Sequence, residues 1–138
     1  YENRPPEGCI CIEDEIFTYR GVRILGLGGS MRYKPGPHQF SQWDMNLRVL
    51  KLRYKLWRAG GFDILLTHSP AFELNDGEDL PHTGFQAFRR LIDQYSPQYF
   101  IHGHVHSSYG GAYKRLSQCG RTTVINAYER YDFEYPDL

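Results

Sequence analysis

The sequence has no apolar run approaching the roughly 18 residues that a membrane span requires, and no secretory leader pattern opens it. Nor has it an excess of either charge. Its 16 Lys and Arg are matched by 16 Asp and Glu, which argues against a broad electrostatic grip on nucleic acid or on an anionic membrane surface. Cysteine is scarce: Cys9, Cys11 and Cys119 are odd in number and form no C-x-x-C pair. That argues against a disulfide framework and for a reducing, cytoplasmic setting. All three cysteines are expected as small buried hydrophobes. Repeats, low-complexity tracts and long linkers are also missing. Enough is present for a core, since Leu, Ile, Val and Phe make up about a quarter of the 138 residues, above the roughly 20% that marks intrinsic disorder. The length suits a single domain, 1–138, or a piece of one.

Along the chain, Tyr1–Gly8 reads as a proline-stiffened loop. A meander of short runs follows: Cys9–Ile12, then Ile16–Tyr19 beyond the acidic turn Glu13–Glu15, then the strand Val22–Leu27 ending at Gly28-Gly29-Ser30. Met31–His38, with Pro35-Gly36-Pro37, is irregular. From Ser41 to Ala59 the period becomes helical. Trp43, Leu47, Leu50, Tyr54 and Trp57 recur three or four apart, Ser41 is placed to cap the start, and Gly60-Gly61 to stop the end. Arg48, Lys51, Arg53, Lys55 and Arg58 make this helix basic, and in a neutral chain they read as a solvated face.

A strand Phe62–Leu66 runs into Thr67-His68-Ser69-Pro70, and a polar loop, Asn75–Pro81, precedes a helix over Phe85–Tyr95 with Phe85, Phe88, Leu91 and Ile92 on one stripe. Pro97 breaks it. Another strand, Tyr99–Ile101, enters His102-Gly103-His104-Val105-His106. The tail reads as a hairpin, Tyr113–Gln118 and Thr122–Asn126 around Cys119-Gly120, with Tyr128–Tyr135 as an edge strand. Strand, helix, strand with polar residues at both strand ends is α/β grammar, and such folds build sites at the carboxyl ends of their strands.

Five of the six histidines lie between positions 68 and 106, and imidazole is the commonest neutral metal ligand. In an extended segment His104 and His106 point the same way. Gly103 would permit a close backbone approach or a positive φ. His68 follows a strand expected to run parallel to Tyr99–Ile101, because a helix joins them. His68, His104 and His106 are thus candidate metal ligands sharing one sheet edge. His82, ahead of a helix, either meets an anion at that helix start or packs within its loop. His102 reads as pointing away from its neighbours or buried at the strand end, and His38 as an ordinary core or surface residue rather than a ligand.

The blocks Thr67-His68-Ser69-Pro70 and Gly103-His104-Val105-His106, in that order and separation, resemble the last two signature blocks of the calcineurin-like metallophosphoesterases. Gly26–Ser30 before the long helix, and the Asp76–His82 loop followed by Gly84-Phe85, resemble one bacterial branch of that family. The similarity spans residues 9 to about 130. It implies an α/β/β/α sandwich and hydrolysis of phosphate mono- or diesters at a binuclear centre. There, two divalent ions (Mn, Fe, Zn or Ni) clamp the phosphoryl group and neutralise charge on the leaving oxygen. By the same resemblance His68 and His104 ligate one metal and His106 the other; His82 is the candidate substrate-binding residue by its place ahead of the helix start.

Three further blocks of the family, Asp-x-His, Gly-Asp and Gly-Asn, do not occur here. The chain, opening on Tyr1 without an initiator Met, is therefore expected to be the C-terminal portion of such a domain, a partial sandwich. It should hold at most one ion weakly and have little turnover alone, because neutral imidazoles cannot offset two adjacent dications. An uncovered apolar sheet face should lead it to associate with the missing N-terminal half or with itself. The expected ligand is a small phosphoester, with no nucleic acid or membrane partner. Asp76, Glu78 and Asp79 either orient His82 or form a solvated loop. The alternative is a non-catalytic binding or scaffolding module that keeps the fold. A structural zinc site is disfavoured, since such sites usually draw on cysteine and none lies near the histidines.

Overall fold

The computed structural model describes residues 5–77, 79–106 and 113–136. Glu78 and the end residues 1–4 fall outside them. The chain forms an α/β fold built on a mixed six-stranded sheet flanked by helices. Its strands are β1 (Glu15–Tyr19), β2 (Val22–Leu27), β5 (Ile64–Thr67), β6 (Tyr99–His102), β7 (Leu116–Cys119) and β8 (Thr122–Asn126). Two short strands, β3 (Ser30–Met31) and β4 (Gln39–Phe40), pair separately and bracket the Pro-Gly-Pro segment. The sheet order is β1-β2-β5-β6-β8-β7. The four inner strands are mutually parallel and both edge strands antiparallel.

Helices α1 (Gln42–Lys51) and α2 (Arg53–Ala59) connect β2 to β5, and α3 (Gln86–Tyr95) connects β5 to β6. Both crossovers step the same way across the sheet. Right-handed connections therefore place these helices on one face. On that face Leu25, Leu65, Phe100 and Val124 pack with Met45, Leu52 and Leu56 of α1–α2 and with Phe88, Leu91 and Ile92 of α3. The opposite face is covered less completely. Ile12 lies against Gly26, Phe133 and Tyr135 of the tail lie on Tyr99, and Leu66 in mid-sheet stays 39% exposed.

Local chemistry explains the helix ends. Ser41 accepts from the Asp44 amide while the Asp44 carboxylate accepts from the Ser41 amide, a reciprocal cap. Gly60, at φ 68°, closes α2 in the left-handed conformation. Arg23 holds this junction from below: it binds the Asp63 carboxylate at 2.7 and 3.0 Å and donates to the carbonyls of Ala59 and Gly60, both at 2.9 Å. Its hydrogen bonds hold the Asp63 carboxyl below the usual carboxylate range. Arg48 reaches the carboxylates of Glu13 and Asp14 and the Gly28 carbonyl, tying α1 to the loop before β1.

Several expectations change. The helical stretch is divided at Leu52, whose backbone stays right-handed, so the two pieces run on as nearly one helix. The stripe Trp43, Leu47, Leu50, Tyr54 and Trp57 faces outward rather than into the core. The burying face is Met45, Leu52 and Leu56 with partly buried Val49, offset around the same helix. The cysteines are not buried core residues. Cys9 and Cys11 precede the first strand and are exposed, and Cys119, at the end of β7, is half-buried against the margin of the core. Cys9–Ile12 forms no strand; only Glu13 bridges to Gly26. Tyr128–Tyr135 is not an edge strand among the described residues; Arg115 donates to the Asn126 and Tyr128 carbonyls, and Phe133 and Tyr135 lie on Tyr99. Among the described residues no helix is long and apolar enough to cross a membrane.

Candidate functional site

The carboxyl ends of β2, β5, β6 and β8 align at Leu27, Thr67, His102 and Asn126, through the registers Leu27↔Thr67, Leu66↔Ile101 and His102↔Asn126. Whatever follows each strand therefore gathers at one edge, and the histidines follow two of them. Thr67 and Ser69 are buried structural flanks. The Thr67 hydroxyl donates to the Ser69 carbonyl at 2.6 Å and the Ser69 hydroxyl to the Gly29 carbonyl at 2.9 Å. They fix the turn that leaves His68 between them at the surface.

After β6 the chain does not stay extended. The Gly103 amide donates to the His68 carbonyl at 3.0 Å, and the Val105 amide turns back to the Gly103 carbonyl at 2.8 Å. This three-residue turn is centred on His104, at φ 66°. A turn of this kind with a non-glycine centre is rare and strained, and such strain is typical of functional sites. The positive φ sits at His104 and not at Gly103. β8 holds the turn in place: the Asn126 side chain donates to the Val105 carbonyl at 2.8 Å, and the Ala127 amide to the His102 carbonyl at 2.7 Å.

The turn aims His104 at His68. Nδ1 of His104 lies 3.0 Å from Nε2 of His68. Nε2 of His104 is 2.9 Å from the Pro81 carbonyl, which can only accept, so His104 carries its proton there and presents a lone pair at Nδ1. Anchoring one imidazole nitrogen on a carbonyl is how ligating histidines are usually oriented. Desolvation among the neighbouring groups holds both rings below the ordinary histidine pKa. For His68, the charges of His104 and His106 add to this.

His82 joins the cluster from the side. A 3-10 turn over Leu80–His82 brings its ring to 5.1 Å from that of His104. The Asp79 carboxylate accepts from Nδ1 of His82 at 2.7 Å. Of the three acids read as either orienting His82 or forming a solvated loop, Asp79 holds His82 and Asp76 accepts from the Gly84 amide at 2.9 Å; Glu78 lies outside the described residues. The start of α3, which follows His82 in the chain, offers no ready anion site at its first amide, because the Gln86 amide donates to the Gln42 side chain at 2.9 Å.

His106 packs on the segment after β8. Its ring stacks on Tyr128, centroids 4.3 Å apart. Alternation along an extended strand does not relate it to His104, because the segment is a turn. His102 is 1% exposed, stacks on Phe100 at 5.2 Å, and burial pushes its pKa down to about 4. His38 lies in the loop before β4, at φ 57°.

Two bonds of about 2.0–2.1 Å meeting at about 90–109° subtend roughly 2.9–3.4 Å. The 3.0 Å separation of the His68 and His104 nitrogens therefore fits two ligands of one first-row cation. Among the described residues no three His, Cys, Asp or Glu side chains converge to complete such a site. Two contributors are not foreseen from the sequence: the Pro81 carbonyl, a backbone group with no side-chain signature, and Tyr128, whose setting reads there as an edge strand.

No family model matches the chain, and no curated protein matches it. Among solved structures, it is similar to TT1561 of Thermus thermophilus. The TM-score is 0.56 at 16% identity, over 85% of this chain and 48% of that one. A second solved structure gives a TM-score of 0.57 at 20% identity, over 86% of this chain and 45% of the other. At these identities the likeness is one of fold. The chain spans about half the length of the solved structures it matches.

Proposed function

We propose that the chain is the histidine-bearing portion of a metal-dependent phosphoesterase, a partial α/β/β/α sandwich whose centre is completed by residues outside this sequence. The observation that carries this reading is the facing of His68 and His104 at 3.0 Å, beyond the ends of adjacent parallel strands, with His104 anchored on the Pro81 carbonyl. In this reading His68 and His104 hold one divalent ion, Mn, Fe, Zn or Ni, and His106 contributes to a second. The ions, when bound, polarise a phosphoryl oxygen and offset charge on the leaving group. Asp79 fixes the ring of His82, which binds the phosphoryl group of a small phosphoester beside the pair. The missing Asp-x-His, Gly-Asp and Gly-Asn blocks make the remaining carboxylate and amide ligands the business of another segment, docked on the less covered sheet face around Leu66.

A second reading, a non-catalytic binding or scaffolding module that keeps the same fold, draws on the lack of Asp-x-His, Gly-Asp and Gly-Asn blocks in this sequence. Calorimetric titration with Mn²⁺, Zn²⁺ and Ni²⁺ tests the first reading. One weak site is expected, lost in His104→Ala and weakened in His68→Ala; two tightly held ions, or binding indifferent to both substitutions, contradict it. Activity separates the two readings. Turnover of an aryl phosphate should be negligible for the 138 residues alone and appear once they are expressed with an upstream segment bearing the missing blocks.

A further inference from the structure

Between Asp44 and Asp63 the chain carries five basic residues and no acid, within a sequence of zero net charge. The structure divides the five. Arg48 and Lys55 turn back to Glu13, Asp14 and Glu15. Lys51, Arg53 and Arg58 stay exposed with no carboxylate partner among the described residues. They border a stripe of large apolar side chains that the core does not use. Trp43 is 69% exposed, Leu50 53%, Tyr54 65% and Trp57 76%, with Leu47 also exposed. Beside the stripe runs a groove of about 1010 Å³ between α1–α2 and α3, walled by Leu50, Tyr54 and Trp57 on one side and Arg90 and Gln94 on the other.

The spacing of the stripe identifies the shape of what covers it. Positions 43, 47, 50, 54 and 57 alternate four and three residues apart, the seam by which one helix packs along another. The backbone runs helically through Leu52, so the seam continues for about 27 Å over residues 42–59. The cations flanking it, without a carboxylate partner among the described residues, identify the charge of the occupant. A second copy would set Lys51, Arg53 and Arg58 against themselves, which costs association free energy. A lipid surface is flat, whereas this site is a groove with walls on two helices.

We infer that the outer face of α1–α2 is a docking groove for an amphipathic helix of a partner protein, one whose apolar stripe is flanked by carboxylates. Trp43, Leu50, Tyr54 and Trp57 supply the anchors. Lys51, Arg53 and Arg58 select an acidic partner over a basic one.

Both tryptophans of the chain lie on the stripe, so intrinsic fluorescence reports its occupancy directly. The probe is a blocked synthetic helix of about three heptads with Leu at the seam positions and Glu at the flanking ones. Titration into the 138-residue chain should give a saturable blue shift. Replacing the peptide's Glu by Lys should weaken binding about tenfold, as three exposed ion pairs of ordinary strength would. So should K51E/R53E/R58E in the protein, with its circular dichroism unchanged. Four outcomes overturn the inference: no shift with the Glu peptide; equal binding of the Lys peptide; a shift that grows with protein concentration alone, alongside dimer in sedimentation equilibrium; or a shift with phosphatidylglycerol vesicles and none with peptide.

Discussion

Helices α1–α2 and α3 flank the same sheet face, and each carries an apolar stripe at helical spacing, yet the two stripes have opposite fates. Phe85, Phe88, Leu91 and Ile92 at α3 are buried to the last residue. The most prominent stripe of α1–α2, with both tryptophans, faces outward, and a second row of Met45, Val49, Leu52 and Leu56 makes the core contact. Periodicity locates an apolar face but does not say which of two faces meets the sheet. What holds α1–α2 down is, beside that second row, a set of polar ties: the Ser41 cap, the Arg23 bracket at its end and Arg48 in its middle.

The contrast can be broken by mutation. Phe88→Ala should cost the most, about 3–5 kcal/mol by chemical denaturation, because Phe88 is fully buried edge-on to Phe85, centroids 5.1 Å apart. A cost below about 1 kcal/mol would remove α3 from the core. Arg23→Ala should cost roughly 1–2 kcal/mol, the half-exposed setting reducing the usual worth of charged hydrogen bonds. It should also change the acid limb of the stability–pH curve. The Asp63 carboxyl, with its folded pKa depressed, contributes stability that is present above its unfolded value of about 3.9 and lost as pH falls through the folded one. Without Arg23 that limb should flatten. Ser41→Ala should cost about 1 kcal/mol, the ordinary worth of an N-cap. Trp57→Ala, despite the size of the side chain, should change stability by no more than about 0.5 kcal/mol, since 76% of Trp57 already meets solvent. If Trp57 and Phe88 prove equally costly, the distinction between the two helices fails.

Much of the fold is legible in the sequence because its signals are local. Ser41 and Gly60 mark the helix limits by their own hydrogen-bonding and φ preferences. The parallel pairing of β5 with β6 follows from the helix between them. The histidine pair is legible for the same reason, as His68 directly follows β5 and His104 comes two residues after the end of β6. The way His104 reaches His68 is not. It depends on a three-residue turn held by Asn126 and on the Pro81 carbonyl, contacts that span 21 and 23 positions and leave no pattern in the sequence. The cysteines depart from expectation because their usual burial says nothing about where a chain segment lies.

The segment carrying Asp79 and His82 leaves and rejoins the body at a single seam. Ala71 bridges both Leu74 and Phe85, the Phe85 amide donates to the Pro70 carbonyl, and a side chain at Gly84 would strike the Ala71 backbone. Such a seam lets evolution edit the loop by insertion or deletion while the strand bearing His68 keeps its place, so relatives that diverge in ligand preference should differ in length between positions 74 and 83 long before they differ in the sheet.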